Sequence, residues 1–213
     1  MATRADRHLR SIGLAQQCAE LGARCRTIHL ITGVKPRDLQ WLFFNDPRSI
    51  PRGRAPHSPE WYHSVNLLYR TESSIFVSMY RRLRGTGFAA DEALVSAYRS
   101  YQSICRCPHR ISFDRAFDLA SHTDGIWLAS SPAFAIVTCP VCASEFLAAV
   151  GTLASTNHDC PFCRLIQRFN TDQRVQNSFP VHTLPAEVAA LHLQMARFIR
   201  PGEPPTDHES RPQ

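Results

Sequence analysis

Two pairs of cysteines constrain the fold of this 213-residue chain more than any other feature. The pairs are Cys139-Pro-Val-Cys142 and Cys160-Pro-Phe-Cys163, and seventeen residues separate them. Two residues between cysteines let a tight turn aim both sulfurs at one point, and two such turns complete a tetrahedron around zinc with Zn–S distances of about 2.3 Å. Because four thiolates leave no open coordination position, we expect one structural zinc ion per chain, held by Cys139, Cys142, Cys160 and Cys163.

Three other interpretations of these cysteines stay open at this point. They are four reduced structural cysteines, a thioredoxin-like redox pair, and a site in which His158 replaces one sulfur. A weaker cluster, Cys105 and Cys107 with His109, is a candidate second metal site or an ordinary helix end. The chain holds eight cysteines and has no apolar run of signal-peptide length near its start. This combination favours the reducing cytoplasm, and metal binding over disulfides.

The spacing of apolar residues predicts helices along most of the first 133 residues. These helices cover 9–22, two segments within 23–44, about 59–83, and two further segments that begin at Asp91 and after Ser112. The 59–83 helix is expected to bury Val65, Leu68, Ile75, Met79 and Leu83. Short strand-like runs at 134–138 and 145–150 flank the first cysteine pair, and an amphipathic helix is predicted at 184–200.

Residues 125–144 are uncharged for twenty positions, which is the length of a membrane span. The stretch contains Pro132 and Pro140 among hydroxyl residues, and it ends inside a cysteine motif. A buried strand therefore fits it better than a span, and we expect no contact with a membrane.

Charge is distributed unevenly along the chain. Residues 1–110 carry 17 arginines and lysines against 8 acidic residues, a balance of +9, whereas residues 111–213 carry 7 against 10, a balance of −3. A net charge of +6 favours a polyanionic partner. Any surface that faces phosphates is therefore expected mainly in the first half.

Residues 23–44 predict a helix, a Thr-Gly turn and a second helix, which is the order of a helix-turn-helix. Gly33 stands where the turn needs a positive φ, and Pro36 suits the first turn of the second helix. His29 departs from the motif, which usually has a small residue four positions before the turn glycine. The residues expected to pack the two helices together are Ile28, Val34, Leu39 and Leu42.

The candidate DNA contacts of this hairpin form two groups. Arg24 and Arg26, near the start of the first helix, are expected to contact phosphates. The residues expected on the exposed side of the second helix, within reach of base edges, are Lys35, Arg37, Asp38 and Gln40. The alternative is an ordinary helical hairpin with a solvated charged face.

Together these features predict a mainly α fold in three parts. A helical DNA-binding and oligomerisation domain at 1–133 contains the helix-turn-helix-like hairpin. A small zinc-ribbon-like α+β module with the four cysteines follows at 134–169. Residues 170–213 form a C-terminal extension with the amphipathic helix and a disordered tail.

The order of these segments resembles the FlhC family of flagellar transcriptional activators, the flagellar master regulators. The similarity covers roughly residues 12–165. Its most specific parts are LGAR with Thr-Gly at 21–24 and 32–33, Trp61, the A-Y-R-x-Y run at 97–101, and the two cysteine pairs. The resemblance implies a cytoplasmic, DNA-binding transcriptional activator whose four zinc ligands are the cysteines of the two pairs.

The resemblance also implies partners. These are promoter DNA, the companion protein FlhD in a hetero-oligomer (a hetero-hexamer in the family), and RNA polymerase at flagellar operons. Two features depart from the family: the extension at 170–213, and the lack of a glycine after either cysteine pair, where Ala143 and Arg164 stand.

Enzyme motifs are missing from the sequence. It contains no P-loop, dinucleotide fingerprint, H-E-x-x-H or nucleophile elbow, so we expect no enzyme. The main rival to a DNA-binding activator is a zinc-stabilised protein–protein adaptor without direct DNA contact.

Overall fold

A computed structural model of the chain describes residues 3–44, 46, 51, 58–105, 107–150 and 160–179. The helices in this part of the chain are α1 (Arg4–Glu20), α2 (Cys25–Thr32), α3 (Pro36–Phe43), α4 (Glu60–Ser64), α5 (Leu67–Gly85), α6 (Ala90–Ile104), α7 (Phe113–Asp124), α8 (Pro161–Phe169) and α9 (Gln173–Asn177). Two strands, β1 (Phe134–Thr138) and β2 (Glu145–Ala149), stand between α7 and α8. The prediction of a mainly helical chain with a small sheet is confirmed.

The chain divides into two compact units, Met1–Thr171 and Asp172–Gln213. In the described part of the second unit, the Asp172 side chain caps α9 by accepting a hydrogen bond from the backbone N–H of Arg174 at 3.0 Å. The amphipathic helix predicted at 184–200 and the tail after it lie outside the described residues. The boundaries predicted at 133/134 and 169/170 stay predictions.

Local capping explains where the first helix begins. The Thr3 hydroxyl accepts a hydrogen bond from the Asp6 backbone N–H, while the Asp6 carboxylate accepts one from the Thr3 N–H. This reciprocal capping box satisfies two backbone donors that a helix start leaves without partners. Further along the helix, α1 buries Leu14, Ala15 and Cys18.

The core of the first unit forms around α5, α6 and α7, which pack against one another. Its large, fully buried side chains include Phe76, Tyr80, Leu94, Phe117 and Leu119. The predicted cap at Ser112 is confirmed, because its side chain accepts a hydrogen bond from the Arg115 N–H at the start of α7.

The single helix predicted at 59–83 is wrong in its continuity, and its predicted inward face is confirmed only in part. The chain breaks at Val65, and the Asn66 side chain caps a new helix, α5, by accepting a hydrogen bond from the Tyr69 N–H. Met79 and Leu83 pack against the core as predicted but are only half-buried, whereas Phe76 and Val77, which were not predicted to face inward, are buried. The reason is that α5 is contacted on several sides, by α6 and α7 and also by β2 and α8.

The two strands form an antiparallel sheet that holds the first cysteine pair at its turn. Phe134 pairs with Ala149 and Thr138 with Glu145, so the segment between the strands contains Cys139 and Cys142. Two hydrogen bonds join the middle of β2 to the helices: the Tyr62 hydroxyl donates to the Leu147 carbonyl at 2.8 Å, and the Leu147 N–H donates to the Ser74 hydroxyl. Among the described residues, no helix combines the length and apolar character needed to cross a bilayer.

Candidate metal centre and helical hairpin

The four cysteines of the two pairs converge on one point. Cys139 Sγ lies 3.7 Å from Cys163 Sγ, and Cys142 Sγ lies 3.7 Å from Cys160 Sγ. All four sulfurs lie within 4.8 Å of one another. A regular tetrahedron of sulfurs about 2.3 Å from a central zinc ion has edges of about 3.8 Å, so the cluster fits a tetrahedral metal site.

The first pair is shaped by a tight turn that follows β1. The Cys139 N–H donates to the Ser144 carbonyl at 2.9 Å, and the Ala143 N–H donates to the Cys139 carbonyl at 3.0 Å. The Val141 N–H points at Cys139 Sγ, 3.4 Å away. Ala143 takes a left-handed conformation with φ of +57°. The position where a glycine usually stands thus keeps the glycine-like backbone although the residue is alanine.

The second pair opens a helix that was not predicted from the spacing of apolar residues. Cys160 is the N-cap of α8, Pro161 occupies the first turn, and Cys163 stands within that turn. Within the described residues 160–179, the Cys160 side chain makes no capping hydrogen bond. Proline directly after Cys160 was the signal for this helix start, because proline favours the first helical position.

The sulfurs experience different electrostatic environments. Hydrogen bonds from the side chain and backbone of Ser144 lower the pKa of the Cys142 thiol to about 6. Burial raises the pKa of Cys160. Cys142 is also the most exposed of the four. When bound, a zinc ion would hold all four ligands as thiolates and cross-link the strand turn to α8.

The weaker cluster of Cys105, Cys107 and His109 is not brought together as a metal site. Among the described residues, the four-cysteine cluster is the one group of three or more potential ligands close enough to share an ion. The His109 ring instead contacts the backbone carbonyl of Gln102, with Nε2 at 3.0 Å. His158 lies outside the described residues.

Helices α2 and α3 form the predicted hairpin. Gly33 ends α2 with φ of +73°, and Pro36 begins α3. His29 fits the turn because its Nδ1 lies 2.9 Å from the Val34 carbonyl and bonds to it across the turn. The Thr32 hydroxyl accepts a hydrogen bond from the Val34 N–H. Of the expected packing residues, Ile28 and Leu39 are fully buried, Val34 is half-buried and Leu42 is exposed.

Most of the predicted DNA-contact residues lie on the surface. Arg26, Lys35, Arg37, Asp38 and Gln40 are all exposed. The structure therefore leaves these side chains accessible to a partner, and their contacts with DNA stay predictions.

Arg24 differs from the other candidates because it has an intramolecular partner. Its guanidinium NH1 lies 3.1 Å from Asp114 Oδ2, and its backbone N–H donates to Asp114 Oδ1 at 3.2 Å. The Thr27 hydroxyl donates to the same carboxylate. A phosphate would therefore compete with a nearly buried carboxylate for this guanidinium. The role of Asp114 was not predicted, because the spacing of apolar residues gives no information about which acidic residues are buried.

Two motifs that carry the family resemblance have structural roles. The Trp61 indole N–H donates to the buried Asp118 carboxylate at 2.6 Å. In the run at 97–101, the Tyr101 hydroxyl donates to the buried Glu72 carboxylate, which also pairs with Arg110. Trp61 thus joins α4 to the middle of α7, while Tyr101 and Glu72 join α6 to α5 and, through Arg110, to the segment before α7.

The sequence matches known proteins along most of its length. Residues 5–176 match the model of the family described as FlhC, flagellar transcriptional activator. A similar protein is the flagellar transcriptional regulator FlhC of Cupriavidus metallidurans. The two are 28% identical over 208 residues, an alignment that covers 93% of this chain and 92% of the relative.

Proposed function

Because the chain belongs to the FlhC family of flagellar transcriptional activators, we propose that it is a DNA-binding subunit that activates flagellar operon promoters. The family is one of transcriptional regulators and not of enzymes. In this proposal the chain forms a hetero-oligomer with FlhD, a hetero-hexamer as in the family, and acts through RNA polymerase. Bacterial transcription takes place in the cytoplasm, which is where we expect the protein.

The observation that best supports DNA binding is the set of exposed charged side chains on the α2–α3 hairpin. Lys35 and Arg37 stand at the start of α3, where a recognition helix contacts base edges. Gln40 lies one turn further on, and Arg26 lies in the first turn of α2. Arginine and lysine bind phosphates and guanine edges, and glutamine binds adenine.

In this proposal the cysteine cluster is a structural zinc centre. Cys139, Cys142, Cys160 and Cys163 would supply the complete ligand set, so no coordination position remains for a substrate. The ion would stabilise a small module whose sheet has two strands in the described part of the chain.

Salt dependence of duplex binding tests the proposal. The purified chain with FlhD should bind a flagellar promoter duplex, and its affinity should fall steeply as salt rises, because each neutralised phosphate releases counterions. Fluorescence anisotropy between about 50 and 200 mM salt measures this, with a scrambled duplex as the control. Absence of duplex binding at low salt contradicts the proposal.

The alternative function is a zinc-stabilised protein–protein adaptor. It is favoured by apolar side chains exposed near the cysteine cluster, which are Val141, Ile166 and Phe169. Such surfaces typically mark protein contacts. An adaptor would bind its protein partner and no duplex at any salt concentration, so the same titration separates the two functions.

A further inference from the structure

Trp41 is the most exposed large hydrophobic side chain among the described residues. It lies on α3, and 79% of its surface is accessible. An indole offers a large apolar area, and leaving it in water forgoes the stabilisation that burial would supply. The exposed indole therefore offers a large apolar contact surface on α3 to a partner.

The position of Trp41 on α3 is opposite to the face that packs on the protein. Leu39 is fully buried and Phe43 packs against the core, so both define the inner face. Trp41 follows Leu39 by two residues, which places it about 160° around the helix. Arg37 precedes Trp41 by four residues and therefore lies on the same outward side. Arg37 and Trp41 form the outer ridge of the hairpin's second helix.

We propose that Trp41 reads sequence in the DNA major groove by packing its indole against the C5-methyl group of a thymine. This inference rests on the proposed function, since it requires that α3 enters the groove. Base edges in the major groove otherwise present hydrogen-bond donors and acceptors, and the thymine methyl is the apolar group they offer. An apolar side chain on the outer ridge of a recognition helix therefore discriminates thymine from the other bases.

Charge favours DNA over a protein as the occupant of this ridge. Within residues 24–44 of the hairpin, the exposed charged side chains are the cations Arg26, Lys35 and Arg37 and one acid, Asp38; a second exposed acid, Asp46, follows α3. Arg37 on the same ridge supplies a fork that binds guanine edges or phosphate. Together the two side chains would read one apolar and one polar feature on neighbouring base pairs.

The test replaces thymines one at a time with deoxyuridine, which lacks only the methyl group. The zinc-loaded chain with FlhD is titrated against each duplex, and Kd is measured by fluorescence anisotropy. For the unmodified protein, we expect one thymine position at which the replacement weakens binding about fourfold, the effect of losing one methyl from an apolar contact. In Trp41→Ala the same replacement should have no effect, whereas Trp41→Phe should keep part of it.

A matched control is Leu9→Ala, which removes another exposed apolar side chain, 68% accessible, from α1, outside the hairpin. It should keep the full deoxyuridine effect. If Trp41→Ala and the unmodified protein respond equally at every thymine, or if no thymine matters, the inference is overturned. The inference is also overturned if Trp41→Ala weakens binding to every duplex equally while the deoxyuridine effect stays the same. If the unmodified chain binds no duplex at all, the proposed function itself fails.

Discussion

The Arg24 guanidinium lies 3.1 Å from the Asp114 carboxylate, and this ion pair ties the start of α2 to the first turn of α7. The carboxylate is 3% exposed and also accepts hydrogen bonds from the Arg24 N–H and the Thr27 hydroxyl. The two residues are ninety positions apart in sequence. One buried acid therefore links the hairpin proposed to bind DNA to α7, in addition to the apolar packing of Ile28 and Leu39 in the core.

Replacement of Asp114 should destabilise the protein. We expect Asp114→Ala to lower the free energy of unfolding by about 1–3 kcal/mol, because the buried Thr27 hydroxyl and the largely covered Arg24 both lose their acceptor. Urea unfolding monitored by circular dichroism measures the change. Arg26→Ala serves as the control, since Arg26 is exposed, and should change stability by less than about 0.5 kcal/mol. Equal stability of the two variants would contradict this role for Asp114.

Features that depend on residues close together in the sequence, such as the two cysteine pairs and the hairpin turn, were predictable. The two cysteine pairs converge as expected because each pair sets its own turn. Gly33 and Pro36 mark the hairpin turn because glycine readily adopts a positive φ and proline favours the first turn of a helix. Neither preference depends on contacts with distant residues.

Features that depend on distant partners were not predictable. Glu72 and Asp114 are buried acids whose cationic partners, Arg110 and Arg24, are far away in sequence, and apolar periodicity does not detect such pairs. The prediction of the buried face of α5 was incomplete for a similar reason, because a helix contacted on several sides buries Ser73 and other polar residues as well. Exposure of Trp41 runs against the usual preference of tryptophan for burial, so only the structure reveals it.

Glycine in place of Ala143 should stabilise the first cysteine turn. Ala143 has a φ of +57°, a left-handed conformation that costs an L-residue about 1–2 kcal/mol. Glycine would relieve this strain, but it also makes the unfolded chain more flexible, which costs about 0.5–1 kcal/mol of stability. We expect Ala143→Gly to raise the free energy of unfolding by about 0.5–1 kcal/mol at unchanged zinc content, as measured by urea unfolding and metal analysis.

The reverse substitution at the hairpin turn provides the matched comparison. Gly33 has a φ of +73°, and a Cβ there would meet no atom within 4 Å. Because the same two effects act in reverse and no steric clash adds to them, Gly33→Ala should lower the free energy of unfolding by about 0.5–1 kcal/mol. Stabilisation by Gly33→Ala, or destabilisation by Ala143→Gly, would show that backbone conformation is not the controlling factor.

Stability should fall at alkaline pH because of Cys18. Burial raises the pKa of this thiol from near 9 to about 12. Between these values the unfolded chain loses the proton while the folded chain keeps it, so stability is fully present below pH 9 and declines as pH rises towards 12. We expect a loss of about 1 kcal/mol from this group between about pH 8 and 10, measured by urea unfolding. In Cys18→Ala the decline should be shallower by that amount, and an identical decline in both proteins would exclude Cys18 as its source.

Loss of one cysteine ligand should remove the metal. We expect Cys139→Ser to reduce zinc from one ion per chain to none, because three thiolates no longer close the tetrahedron. The module should then unfold and duplex binding should disappear. Metal analysis, circular dichroism and anisotropy follow these three changes. The control is Cys107→Ser, which alters an exposed cysteine outside the cluster and should retain zinc and binding. A Cys139→Ser protein that is folded and metal-free but binds DNA normally would contradict the structural role of zinc.

Arg37 on the outer ridge of α3 should contribute to DNA binding without contributing to the fold. Its side chain is exposed, so Arg37→Ala should leave zinc content and urea unfolding unchanged. If Arg37 contacts a guanine edge, the substitution should weaken promoter binding by about tenfold and relax specificity at one base pair, whereas a phosphate contact would reduce the salt slope by about one. Arg174→Ala removes an exposed arginine from the acidic second half of the chain and should bind the promoter like the unmodified protein. Unchanged affinity in Arg37→Ala would mean that α3 is not the recognition helix, even if the chain binds DNA through another surface.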